Sequence, residues 1–137
     1  TAYPSAASDV YKRQVLDYLS NKAVELKIAN DPVLIKSDLK KREEEMSTAL
    51  VEPLAIPHSK SENVLKNTII FLRLREFIDW SGSNVKIVIG IFSKLEAGDH
   101  INTLAELSRK LIDKEFLTFL QTASEEEIYE EMKNVGE

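Results

Sequence analysis

The sequence predicts an α/β sandwich, a sheet buried between layers of helix in a single domain, and three observations carry that expectation. Val15, Leu16, Leu19, Ala23 and Leu26 recur at three- and four-residue steps, the apolar stripe of a helix. Val85-Lys86-Ile87-Val88-Ile89-Gly90-Ile91-Phe92 is an almost continuous apolar run of high strand propensity, as a strand covered on both faces requires. At 137 residues the chain is long enough to bury one continuous core and too short for two of comparable size.

Taken in order, residues 1–14 are rich in Ala, Ser and Tyr with no clear period and lack the apolar centre of a secretory signal. They are set outside the core, as a cloning-derived tail or the end of a longer linker, and the domain is placed at 15–137. The first helix starts at Val15 and is broken by Asn30-Asp31-Pro32, where Asp31 suits a cap and Pro32 the first helical position. A second helix follows to about Glu44, with Val33, Leu34 and Leu39 as its apolar face. Pro53 and Pro57 exclude a regular helix through 50–59, leaving that segment extended or looped. Thr68 to Leu74 and Val85 to Phe92 read as strands joined by the turn residues Trp80-Ser81-Gly82-Ser83-Asn84. A third helix is expected from Ile101 to Asp113, with Ile101, Leu104, Leu107, Leu111 and Ile112 inward. A short helix over 114–121 comes next, then a last one capped by Ser124 with Glu127 at capping-box spacing.

Composition narrows the function classes. Eighteen Lys+Arg against 23 Asp+Glu leave a net charge of −5, which argues against a nucleic-acid surface. The one basic cluster, Lys40-Lys41-Arg42, runs straight into three glutamates and reads as a helix surface. No stretch approaches the roughly 18 consecutive apolar residues of a membrane span, so no direct membrane insertion is expected. The absence of cysteine excludes a disulfide framework, a thiolate zinc site and a cysteine nucleophile in this chain. The histidines number two, His58 and His100, with no close ligand pair, so a metal site is not expected.

The most specific local feature is Leu54-Ala55-Ile56-Pro57-His58-Ser59. Proline fixes its own φ and biases Ile56 toward extended backbone, so the imidazole is presented from a stiff segment. Upstream stand Arg42-Glu43, which includes a planar guanidinium able to bind two oxygens, and Ser47-Thr48, two hydroxyl donors. Singly, each has a plainer reading: His58 solvating a turn, His100 capping a helix, Arg42 paired with Glu45 or Asp38, Ser47 and Thr48 ending a helix, Trp80 packing after a strand.

Together these residues are more specific. Arg42-Glu43, Ser47-Thr48, Ala55-Ile56-Pro57-His58, Asp79-Trp80, the Val85 to Phe92 strand and His100 leading into Leu104, Leu107 and Leu111 resemble the fructose/mannitol-type enzyme IIA domain of the bacterial phosphotransferase system, over essentially Val15 to Met132. The resemblance implies a mixed sheet between helices and a cytoplasmic phosphotransferase component. In it His58 takes a phosphoryl group from the phosphocarrier HPr and passes it to a cysteine of enzyme IIB. His100 and Arg42 match the supporting histidine and arginine, with Ser47 and Thr48 beside them, and no cofactor is implied. Pro53 and Ser59 stand where the family usually has glycines, and the strand expected ahead of Val15 is missing. Two other readings stay open. One is a regulatory phosphoacceptor domain of a sugar-responsive transcription regulator or antiterminator; the other is an interaction module without phosphorylation. The apolar neighbours Leu54 and Ile56 are expected to form a docking patch around His58.

Overall fold

The computed structural model describes residues 5–95, 106–107, 109–111 and 113–133. The chain divides into two compact units, Thr1–Glu96 and Ala97–Glu137. The first unit holds helices α1 (Ser5–Glu25) and α2 (Pro32–Glu45), then strands β1 (Leu54–Ala55), β2 (His58–Ser61), β3 (Thr68–Trp80) and β4 (Ser83–Lys94). The second holds α3 (Lys114–Thr122) and α4 (Glu125–Met132).

Helix α1 begins at Ser5, well ahead of the Val15 start that periodicity indicates. Residues 5–14 lack an apolar stripe but not helix formers, and Tyr11 packs against the core formed by Leu16, Leu19 and Ala23. The helix ends where Lys27 takes a left-handed φ of 61°. The Ile28 N–H then reaches the Ala23 carbonyl at 2.7 Å and the Lys27 N–H the Val24 carbonyl at 3.0 Å, the paired bonds of a Schellman end. Lysine replaces the usual glycine there, so the sequence carries no stop signal at that point.

Helix α2 starts as expected. Asp31 Oδ1 accepts from the N–H of Val33 at 2.8 Å and of Leu34 at 3.4 Å, with Pro32 at the first position. Its inward face differs from the expectation: Ile35, Leu39 and Glu43 are buried, whereas Val33 and Leu34 are 72% and 49% exposed. The stripe runs at four-residue steps and ends in a carboxylate, which a purely apolar pattern does not reveal.

The sheet is mixed and centred on β4. β3 pairs with β4 antiparallel along its length, with a register shift between Arg73 and Ile78. The hairpin turn is two residues, Ser81 and Gly82, at φ 53° and 95°, the positive pair that matches strand twist. On the other side of β4 lie β1 and β2, both parallel to it, with Leu54 opposite Ile87 and His58 opposite Ile91. Pro57 separates them without breaking the ladder, because its carbonyl accepts from the Ile91 N–H at 3.0 Å. The extended reading of 50–59 therefore holds for this stretch. The α/β class and mixed sheet agree with the sequence expectation.

Helices α1 and α2 cover one face of this sheet, where Leu19, Ile35, Leu39, Trp80, Val88 and Phe92 form one core. Leu54 and Ile56 are buried, at 0% and 7% exposure, so the docking patch expected from them does not exist. Leu54 is paired opposite Ile87 of the central strand, and Ile56, between β1 and β2, is tied by its N–H to the Thr48 carbonyl.

In the second unit Asp113 caps α3, its Oδ1 accepting from the Glu115 N–H at 2.9 Å. Ser124 and Glu127 close the expected capping box, with both bonds at 3.2 Å. Of the helix expected over 101–113, residues 106–107 and 109–111 are helical and Leu107 and Leu111 are buried. Ile101, Leu104 and Ile112 lie outside the described residues. Among the described residues no helix is long and apolar enough to cross a membrane.

Helix α1 comes close to the sheet where Leu19 lies over Gly90, and an added Cβ there would stand 3.0 Å from a Leu19 methyl carbon. Leu19 is fully buried and cannot swing away. Gly90→Ala is expected to cost roughly 1–3 kcal/mol in urea unfolding through overpacking. The cost should shrink when Leu19→Ala is added in a double-mutant cycle, and equal costs in both backgrounds would locate the strain elsewhere.

Candidate functional site

His58 opens β2 directly after Pro57, half-buried, with its backbone fixed by pairing to β4. Its ring is held at both nitrogens. Nδ1 lies 2.9 Å from the Ile56 carbonyl, and Arg42 Nε donates to Nε2 at 3.1 Å. A carbonyl can only accept and a guanidinium can only donate. Both contacts therefore require one neutral tautomer, with the proton on Nδ1 and the lone pair on Nε2.

Burial is the chief influence that draws the His58 imidazole below its ordinary value of 6.5. The Ile56 carbonyl opposes it, the Arg42 charge adds to it, and the Glu43 and Glu45 carboxylates oppose it. The net direction is downward, so the ring is neutral at pH 7.

Arg42 comes from the last turn of α2. Its Nη1 donates to the Met46 carbonyl at 2.8 Å, which satisfies an orphan carbonyl of the helix end and anchors the guanidinium beside the imidazole. Neither Asp38 nor Glu45 is its hydrogen-bond partner in these contacts. Asp38, one turn earlier, instead accepts from Ser61 Oγ at 2.6 Å and Asn63 Nδ2 at 2.9 Å. Ser59 Oγ stands at 3.5 Å from the same carboxylate oxygen. Asp38 and Arg42, four residues apart, thus clasp β2 and its flank from one face of α2.

Glu43 faces the interior. Its Oε1 accepts from the Thr48 N–H at 3.0 Å and Trp80 Nε1 at 2.8 Å, and lies 2.9 Å from Lys12 Nζ; its Oε2 accepts from Thr48 Oγ1. Burial pushes this carboxyl up, but the Thr48 hydroxyl, Lys12 and the Thr48 N–H more than offset it, leaving it below its ordinary 4.5.

The sequence-derived site residues fall out unevenly. His58 and Arg42 are in direct contact. Thr48 is buried and its hydroxyl proton goes to Glu43. Ser47 is half-buried, its oxygen accepting from the Ala49 N–H at 3.1 Å. His100 lies outside the described residues. Sequence reasoning missed Asp38, the buried role of Glu43 and the indole bond of Trp80. The signal available was the i, i+4 spacing of Asp38 with Arg42 and of Leu39 with Glu43 on one helix.

A neutral imidazole with one nitrogen lone pair directed at a permanent cation is equipped to meet an electrophile that carries anionic oxygens. The chain is similar to several known proteins. The mannitol-specific phosphotransferase enzyme IIA component of Staphylococcus aureus is 35% identical over 94 residues, 66% of this chain. The match spans 64% of that relative's length, just under two thirds. Among solved structures, the nitrogen regulatory protein IIA-Ntr of Neisseria meningitidis superposes with a TM-score of 0.79 at 25% identity, covering 88% of this chain and 85% of that one. Enzyme IIA mannitol of Escherichia coli, solved in complex with phosphorylated enzyme IIB mannitol, gives 0.74 at 22% identity over 89% and 87%, a likeness of fold. The family model for the EIIA 2 component of the phosphoenolpyruvate-dependent sugar phosphotransferase system matches residues 7–135, taking in all but the first two residues of α1, the other three named helices, the whole mixed sheet and the His58–Arg42 pair, and the chain belongs to that family.

Proposed function

We propose that His58 is the phosphoryl acceptor of this chain, that it is charged at Nε2 by the phosphohistidine of the phosphocarrier HPr, and that it discharges onto a cysteine of an enzyme IIB, all in the cytoplasm. The observation that carries this reading is the single tautomer enforced on the ring, with Nε2 unprotonated and Arg42 3.1 Å away.

The chemistry follows from that arrangement. Nε2 attacks phosphorus as the donor's own N–P bond breaks, and the donor imidazole leaves with that electron pair. Nδ1 keeps its proton, so the phosphorylated ring carries positive character, which the Ile56 carbonyl stabilises. The Arg42 Nε–H bond opens as Nε2 engages phosphorus, and the guanidinium then meets the phosphoryl oxygens. Transfer to a thiolate reverses these events: the N–P bond breaks, an S–P bond forms, and the neutral imidazole returns. In this reading Ser47 offers its hydroxyl proton to the phosphoryl oxygens and Thr48 holds the loop. His100 is assigned as the supporting imidazole on its motif alone.

A regulatory phosphoacceptor is the second reading, favoured by the fold match at 25% identity to a nitrogen regulatory protein. The two differ in whether the phosphorylated chain discharges onto the cysteine of an enzyme IIB.

Incubation with phosphoenolpyruvate, enzyme I and HPr is expected to place an acid-labile phosphate on His58; equal labelling of His58→Ala would refute the assignment. Arg42→Gln should slow acceptance on the order of a hundredfold, as loss of one preorganised charge donor does. A titration of the His58 ring by NMR should give a midpoint below 6.5, rising when Arg42→Ala removes the neighbouring positive charge. Because the folded protein then holds fewer protons than the unfolded chain, fold stability should decline as pH drops below 6.5 toward that midpoint. A midpoint above 6.5 would overturn both statements.

A further inference from the structure

We propose that Glu43 is a positioning residue for His58, setting the tautomer of the ring through a three-step path of hydrogen bonds. The proposal rests on the reading of His58 as phosphoryl acceptor. Glu43 grips Thr48 at both its N–H and its hydroxyl. The Thr48 carbonyl accepts from the Ile56 N–H at 2.9 Å, and the Ile56 carbonyl faces His58 Nδ1 at 2.9 Å. The strands of this path are braced by the Ala49–Ala55 bridge and by the Leu50 N–H to Leu54 carbonyl bond at 2.9 Å.

The same carboxylate also fixes its surroundings from two other sides, through Trp80 Nε1 at the end of β3 and through Lys12 on α1. Glu43 is 9% exposed, so its bonds are made without competition from bulk water. Which imidazole nitrogen keeps the proton is decided by the bond the other nitrogen makes. If Thr48 shifts, the Ile56 peptide loses its anchor and its carbonyl leaves Nδ1. Arg42 alone then favours the lone pair at Nε2, so the Nε2–H tautomer becomes accessible whenever that single bond opens, and that form has no lone pair at Nε2 to attack phosphorus. Glutamine can replace the carboxylate in this geometry. Its carbonyl oxygen takes the Thr48 and Trp80 N–H groups, and its NH2 donates to the Thr48 hydroxyl, which reverses one bond of the path and breaks none of them, while Lys12 loses its ion pair and faces a neutral oxygen. The path therefore depends on the shape of the side chain and not on its charge.

Nitrogen NMR of the imidazole in the unphosphorylated protein reads the tautomer directly. The parent and Glu43→Gln should hold the Nδ1–H form. Glu43→Ala and Thr48→Val should show the Nε2–H form mixed in and accept phosphate on the order of tenfold more slowly, with Thr48→Ser restoring both. Should Glu43→Ala fail to fold, Thr48→Val decides, since it deletes only the hydroxyl from a side chain of the same shape. An unchanged Nδ1–H tautomer in Thr48→Val, or its loss in Glu43→Gln, overturns the proposal. The tautomer is measured with no phosphoryl donor present, so the two failures separate. A fixed tautomer across the variants with His58 still labelled defeats the path alone; absence of label from parent His58 defeats the acceptor reading.

Discussion

The parallel pairing of β2 with β4 is the constraint on which the site depends. β4 is the central strand of the sheet, buried from Val85 through Ser93 but for Lys86, and its register puts His58 opposite Ile91. A strand locked to such a neighbour cannot slip by one residue without turning every side chain to the other face. The Pro57 carbonyl adds a bond to Ile91 just before the histidine. The position of the imidazole is therefore set by main-chain bonds at the middle of the fold, and side chains only refine its direction.

Helix α2 supplies that refinement with both signs of charge. Asp38 and Arg42 turn toward β2, while Glu43, the next residue along, turns inward to Thr48 and Trp80. A 100° step between consecutive residues lets one helix end serve an interior anion site and a rim cation site together. The buried carboxylate is tolerated because its oxygens are fully engaged by donors, and no buried side-chain polar atom among the described residues lacks a partner. Burial that would be costly for a lone charge becomes a rigid mount beside the His58 ring.

The fold was legible where pattern and punctuation agree. Asp31-Pro32, Ser124 with Glu127, and the Val85 to Phe92 run each declare an element through local physics, and each is found where expected. The start of α1 was hidden because residues 5–14 carry no apolar period, and its end because Lys27 adopts a conformation that glycine normally announces. Within the site, Pro57-His58 and Arg42 could be read from residue chemistry and motif order. The partners of Glu43 could not, since Thr48 and Trp80 are brought to it by tertiary packing across 5 and 37 residues. Leu54 and Ile56 misled for a related reason: apolar residues beside a reactive group serve a surface or a core equally well, and only strand pairing decides.

The acceptor of the His58 ring proton is a main-chain carbonyl, that of Ile56. An amide carbonyl has no protonation equilibrium in the range where proteins are folded, unlike the carboxylate that orients histidine in many catalytic triads. Under the function proposed for His58, the proton on Nδ1 would have nowhere to go during group transfer, and the phosphorylated and free forms of the ring would share one proton inventory. Passage of a phosphoryl group in either direction would then cross the same protonation state. Under that reading the site favours neither direction through proton release, which would leave the energetics of exchange to the proposed donor and acceptor.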